Sequence, residues 1–155
     1  MIRVGSIGLG GMGLHQAKTF DSVEGCKLVA GSDPSPDMRA RFAKCFPGTN
    51  LYESPESIVN SGDVDAVVIA VPTGLHYAAA STVLAAGIPV LVEKPMARTV
   101  NECQELIDKA ERKNTLLMVA HCRRFDPYWK SWGSYVASGR LGSPVLWRNV
   151  MASFG

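Results

Sequence analysis

Short apolar runs alternate with helical stretches along the first 120 residues. The runs are rich in β-branched residues and predict strands at residues 2–8, 27–32, 51–52, 66–71, 89–92 and 115–120. Helix-opening residues and helical periodicity predict helices at residues 12–22, 36–46 and 75–86, and helices that open at Ser54-Pro55 and at the capping box Thr99–Glu102. Because strands and helices alternate, the pattern predicts right-handed βαβ units and a mostly parallel sheet covered on both faces.

The last 30 residues depart from this alternation. Residues 127–138 predict a helix rich in aromatic side chains, and residues 144–154 predict a long strand. The remaining sequence supplies no partner strand for this segment, and exposed strand edges recruit other chains. The pattern therefore predicts self-association through residues 144–154, or else a poorly ordered, aggregation-prone tail. The alternative is that this tail folds back on its own domain.

Composition narrows the class of protein. The chain has 155 residues, of which 46% are hydrophobic and 19% charged, as in one globular domain with its own core. A net charge of +2 argues against a nucleic-acid or membrane-surface partner. The amino terminus reads as a strand rather than a signal peptide, and the apolar stretch at 79–92 is too short to span a bilayer. We therefore expect a cytoplasmic protein.

The four cysteines are Cys26, Cys45, Cys103 and Cys122, and no pair has the C-x-x-C spacing of a zinc or redox site. We expect them to be reduced, buried thiols and expect no metal site.

A glycine loop follows the first predicted strand. Gly8, Leu9, Gly10, Gly11, Met12 and Gly13 fit the pattern G-x-G-x-x-G between a strand and a helix, as in a Rossmann-type doubly wound fold. In that pattern the first glycine permits a tight turn, the second lets a pyrophosphate approach the backbone, and the third lets helix and strand pack closely. The helix N-terminus offers free N–H groups to phosphates. The alternative is a glycine-rich turn without a ligand.

An acidic residue, Asp33, ends the second predicted strand 20 residues after Gly13. In this position a carboxylate accepts hydrogen bonds from the adenosine ribose and repels the 2′-phosphate of NADP, so we expect NAD rather than NADP. We expect Arg39 and Arg41, further along the chain, to be solvated. The alternative for Asp33 is a helix cap before Pro34-Ser35-Pro36.

Two more segments lie where the fourth and fifth predicted strands end, the edge at which open α/β sheets bind ligands. The first contains Val71, Pro72, Thr73 and His76, and the second is Glu93-Lys94-Pro95. Together with the glycine loop and the segment 121–127 (HCRRFDP), they closely resemble the Gfo/Idh/MocA oxidoreductase family over residues 2–155.

The resemblance implies roles for several residues. Lys94 is expected to be catalytic and to reach both the nicotinamide and the substrate hydroxyl, because an ammonium there can stabilise a developing alkoxide. Glu93 is expected to hydrogen-bond the nicotinamide ribose or, alternatively, only to orient Lys94. Val71, Pro72 and Thr73 are expected to contact the cofactor. His76 either lines the cofactor cleft or makes a structural hydrogen bond. Arg123 either lies near the nicotinamide or forms a structural ion pair.

The resemblance also implies the organisation of the protein. We expect an NAD(P)-binding domain at residues 1–125, followed at 126–155 by a crossover helix and the first strand of a second domain. In the family that second domain supplies an aspartate, a histidine acid/base and most substrate contacts. We therefore expect residues 1–155 to be part of a longer protein and to be inactive alone.

The function implied is hydride transfer between NAD and a hydroxyl of a sugar, polyol or inositol-like compound. The alternatives are a non-catalytic NAD-binding fragment or sensor, and an NADP-dependent reductase of similar fold.

Overall fold

The structure, a computed structural model, describes residues 1–143, 145, 146 and 148. It divides into two compact units, Met1–Ala120 and His121–Gly155, which are described separately. The predicted domain boundary after residue 125 stays a prediction.

The first unit contains a six-stranded parallel sheet. Its strands are β1 (Ile2–Ile7), β2 (Cys26–Ser32), β3 (Asn50–Tyr52), β4 (Ala66–Ile69), β5 (Val90–Val92) and β6 (Leu117–Val119). The order β3-β2-β1-β4-β5-β6 means that the chain winds first to one side of β1 and then to the other. The predicted fold class is therefore confirmed, and the reversal between β1 and β4 creates the crevice in which such sheets bind ligands.

Five helices connect these strands. They are α1 (Gly11–Asp21), α2 (Pro36–Cys45), α3 (Pro55–Asn60), α4 (His76–Ala85) and α5 (Val100–Arg112). Serine hydroxyls cap α2 and α3, and a proline occupies the first turn of each. The capping box predicted at Thr99–Glu102 is present at the start of α5.

The buried side chains that the structure describes form two clusters. A shift of register in β2 places residues of this strand in both. Val4 pairs with Leu28, whereas the next residue, Gly5, pairs with Ala30. The extra residue in β2 reverses the alternation of its side chains. Leu28 therefore joins Ala17, Phe42 and the other residues packed with α1 and α2, while Ala30 joins the larger cluster packed with α3, α4 and α5.

The second unit contains a short 3-10 turn, Cys122–Arg124, and helix α6 (Pro127–Ala137), which Asp126 caps. The ring of Trp132 contacts the rings of Tyr128 and Tyr135, in each case edge to face. Of the strand predicted at 144–154, residues 144, 147 and 149–154 lie outside the described residues.

The cysteines are free thiols, as expected, but none of them is fully buried. Cys45 and Cys122 are exposed and Cys26 and Cys103 are partly buried, so the expectation of buried thiols is wrong. Cys45 ends α2, whose buried face is formed by Phe42 instead. Within the described part of the chain, no helix has the length and apolar character needed to cross a membrane.

Candidate functional site

The glycine loop joins β1 to α1, and two of its glycines are required by close backbone contacts. Gly8 has φ +88°, and a Cβ there would lie 2.6 Å from the carbonyl oxygen of Ala70, just after β4. A Cβ on Gly13 would overlap the carbonyl oxygen of Gly8. Helix α1 can therefore approach the end of β1 only because Gly13 lacks a side chain, and the turn after β1 can lie against the end of β4 only because Gly8 lacks one.

Gly10 and Gly11 differ from these two, because a Cβ at either position would meet nothing within 4 Å. The fold itself does not require glycine there, so the open space suits a ligand that approaches the backbone. Gly10 is also the N-cap of α1, and no side chain caps that helix. Its first-turn N–H groups are therefore available to an anion. The Met12 side chain is 49% exposed beside them.

Asp33 is fixed by backbone hydrogen bonds. Its Oδ2 accepts from the N–H of Leu9 at 2.9 Å, and its Oδ1 accepts from the N–H of Ser35 at 2.9 Å. The cap of α2 is Ser35, and the Leu9 side chain is buried in the core. Because each carboxylate oxygen accepts more than one hydrogen bond, Asp33 keeps acceptor capacity for a ribose.

The side chain of Arg39 corrects one expectation. Its Nη1 donates to the carbonyl oxygens of Asp33 and Pro34 at 2.7 and 3.0 Å, and its Nη2 pairs with Glu53 at 3.0 Å. The side chain is only 17% exposed, so the prediction that it is solvated is wrong. Arg39 instead braces the loop that carries Asp33, whereas Arg41 is exposed as expected.

A cavity of about 710 Å³ opens between these loops. Its walls include Gly8, Gly10, Asp33, Val71 and Pro72, so the structure brings together predicted residues from the ends of three strands. Ser32 also lines it, and among the described residues its buried Oγ has no hydrogen-bond partner. The cavity is large enough for a nucleotide. An orphan hydroxyl and an open glycine backbone fit the adenosine and pyrophosphate parts of a dinucleotide.

Among the described residues, three carboxylates line the cavity. Glu53 and Glu56 line the cavity together with Asp33. A hydrogen bond from its own backbone N–H and one from the Ser54 hydroxyl hold the pKa of Glu56 below its ordinary value. A ligand that carries extra negative charge here would be repelled.

The Glu93-Lys94-Pro95 loop follows β5. Oε1 of Glu93 accepts a hydrogen bond at 2.6 Å from Nε2 of Gln16, a residue of α1. Lys94 is exposed, and its peptide bond to Pro95 is cis. Sequence reasoning missed Gln16, because nothing in the local pattern pairs it with a residue 77 positions away.

The Val71–His76 segment follows β4. Thr73 begins an exposed 3-10 turn, and His76 begins α4. His76 is 2% exposed, with Nδ1 lying 2.6 Å from the carbonyl oxygen of Pro95 and Nε2 2.9 Å from that of Val71. This geometry matches the structural alternative, since both ring nitrogens contact the protein backbone.

Arg123 belongs to the second unit, where its guanidinium lies 5.4 Å from the centre of the Trp129 ring. Its proximity to a nicotinamide stays a prediction. No group of three or more His, Cys, Asp or Glu side chains that could hold a metal ion occurs among the residues that the structure describes.

Comparison with known proteins identifies the family. The Gfo/Idh/MocA family, described as an oxidoreductase family with an NAD-binding Rossmann fold, matches residues 2–121. This chain belongs to that family. Among curated Gfo/Idh/MocA proteins, inositol 2-dehydrogenase 1 of Saccharopolyspora erythraea is 34% identical over 94% of this chain and 44% of its own length. The chain thus spans less than half the length of such relatives.

Solved structures of the family agree with this fold. Scyllo-inositol dehydrogenase from Lactobacillus casei, solved with NAD(H) and scyllo-inositol, superposes with a TM-score of 0.85 at 26% identity, covering 92% of this chain and 42% of that one. A 3-ketoreductase from Actinomadura kijaniata, solved with TDP-benzene and NADP, gives 0.82 at 26% identity, covering 90% and 43%. Of these two solved structures, one therefore contains NAD(H) and the other NADP.

Proposed function

We propose that this chain forms the NAD-binding domain of a dehydrogenase that transfers a hydride between NAD and a hydroxyl of an inositol, sugar or related polyol. One observation carries the proposal: the open backbone of the glycine loop and the fixed Asp33 carboxylate meet at one cavity. The substrate class rests on the relatives, whose names include inositol 2-dehydrogenase.

The residues at the glycine-loop end of the cavity, defined as Gly8–Gly13 with Asp33, favour NAD over NADP. A 2′-phosphate would lie close to the carboxylates of Asp33, Glu53 and Glu56, and like charges repel. The nearby cation, Arg39, already donates its hydrogen bonds to Glu53 and to backbone carbonyls. Asp33 keeps free acceptor capacity for the two ribose hydroxyls that NAD presents.

The loops after β4 and β5, called here the Lys94 end and defined as Val71–His76 with Glu93–Pro95, provide the residues for catalysis. Of these, Val71 and Pro72 line the cavity, whereas Glu93–Pro95 lie outside its lining. Bound NAD supplies the hydride acceptor. The exposed Lys94 ammonium would donate a hydrogen bond to the substrate hydroxyl and stabilise the negative charge that develops on its oxygen. Glu93, held by Gln16, would accept a hydrogen bond from the second ribose.

Calorimetric titration of NAD into the chain tests cofactor binding. Gly10→Val places a side chain in space that the protein leaves empty, so NAD affinity should fall by roughly 100-fold or more, about 2.7 kcal/mol. Circular dichroism should show an intact fold. Gly133→Val is the matched control, because a Cβ there also meets nothing within 4 Å but the residue lies in α6. Wild-type affinity in a folded Gly10→Val protein would place the phosphates elsewhere.

A further inference from the structure

His76 is one of three buried polar residues among those described, with Ser6 and Ser32. Its imidazole lies between two backbone carbonyls from different loops, that of Val71 after β4 and that of Pro95 after β5. A neutral imidazole donates through one nitrogen, and both contacts are hydrogen bonds when both nitrogens carry protons. The ring contacts both loops, and it donates to at least one of the two carbonyls.

The two loops that His76 contacts contribute to different parts of the proposed site. Val71 lines the cavity, and its backbone lies against the Gly8 turn, where a Cβ on Gly8 would be 2.9 Å from the Val71 nitrogen. Pro95 directly follows Lys94. The Lys94 loop is also held from its other side, because Gln16 of α1 donates to Glu93. Lys94 is therefore an exposed residue between two neighbours whose positions are set by α1 and α4.

We propose that His76 is a positioning residue that fixes the Lys94 loop relative to the cavity wall at Val71, and so shapes the part of the site that receives the nicotinamide half of NAD. The inference rests on the proposed NAD-binding function. A residue needed only for packing would not place two ring nitrogens against two carbonyl oxygens. Loss of the ring removes a hydrogen-bond donor from between the two carbonyls, and the loops lose their shared contact.

Paired titrations of NAD and ADP into the 155-residue chain separate this role from a general structural one. ADP occupies only the glycine-loop end, whereas NAD also needs the Lys94 end. His76→Leu should weaken NAD binding by about tenfold and change ADP binding by less than about twofold. His76→Gln, which keeps an amide donor, should restore part of the NAD affinity. His15→Leu is the matched control, because His15 is exposed on α1 and should change neither affinity.

The outcomes of these titrations test the positioning role of His76 separately from the proposed NAD-binding function. Equal losses of NAD and ADP affinity in a folded His76→Leu protein, or no loss of either, would overturn the positioning role. Equal affinity of the wild-type chain for NAD and ADP would also overturn it, while cofactor binding would stand. Failure of the wild-type chain to bind NAD would instead refute the proposed function.

A measurement on the wild-type chain covers the case in which the variants do not fold. The ring ¹⁵N resonances of His76 should shift when NAD is added and stay unchanged with ADP. If NAD leaves them unchanged, His76 does not sense the nicotinamide half and the proposal is wrong.

Discussion

The glycine-loop end and the Lys94 end of the proposed site are formed by different kinds of contact. At the glycine-loop end, the backbone forms the site. Gly10 and Gly11 leave open space, α1 presents uncapped N–H groups, and the N–H of Leu9 fixes Asp33. At the Lys94 end, side chains from distant helices hold the loops, Gln16 through Glu93 and His76 through Pro95. Binding thus relies on backbone shape, and the proposed chemistry on a side-chain network.

This difference predicts that the two ends fail in different ways. Changes at the glycine-loop end should alter cofactor affinity, cofactor choice or folding. Changes at the Lys94 end should alter turnover or the affinity for the nicotinamide half of NAD, while the fold and ADP binding persist.

The largest effect is expected at Lys94. In a longer chain that includes residues 1–155 and oxidises polyols, Lys94→Ala should lower kcat by roughly 100- to 1,000-fold, the usual cost of one donor to a developing oxyanion. NAD affinity should change by less than about threefold, because Gln16 and His76 still hold the residues on either side of position 94. Steady-state kinetics and NAD titration measure the two quantities. Lys113→Ala, at the exposed end of α5, is the control, and unchanged kcat in Lys94→Ala would remove Lys94 from the chemistry.

The next effect concerns folding. Gly13→Ala introduces a Cβ that overlaps the Gly8 carbonyl, so α1 must move away from β1, and we expect a loss of about 3 kcal/mol in the free energy of unfolding. Gly10→Ala, in the same loop but facing open space, should cost about 1 kcal/mol or less. Urea unfolding measures both. Equal stability of the two variants would mean that the close approach of helix and strand is not needed.

The smallest effect concerns cofactor choice. Asp33→Ala removes the ribose acceptor and one of the carboxylates near the 2′ position, so NAD affinity should fall about tenfold and NADP affinity should rise relative to it. Glu24→Ala is the matched control, because Glu24 is an exposed carboxylate that does not line the cavity and should leave the ratio unchanged. Titration of both cofactors measures the ratio. An unchanged ratio in Asp33→Ala would show that another group selects NAD.

Local features of the sequence predicted much of this arrangement. The spacing of the glycines and of Asp33, the capping box at Thr99 and the strand-helix alternation each depend on residues close in the chain, and the structure contains all of them. Gln16 and Glu93 are 77 residues apart, so their contact follows only from the strand order.

The side chain of Arg39 could not be predicted either. Helical periodicity places residues on a face, but it does not show that a long side chain points back toward the N-terminus of its helix and covers the preceding loop. Arg39 does so, and reaches the Asp33 and Pro34 carbonyls.

The uncapped start of α1 has a thermodynamic consequence. Helices α2, α3, α5 and α6 complete their first turns with a hydroxyl or carboxylate of their own, and α4 is preceded by a 3-10 turn. The first turn of α1 has no such side chain, so an anion bound there completes hydrogen bonding that the polypeptide leaves open. Mass action then links folding to cofactor supply: each tenfold excess of ligand over its dissociation constant adds about 1.4 kcal/mol to the native state. The folded population of this unit would thereby report the free concentration of its dinucleotide.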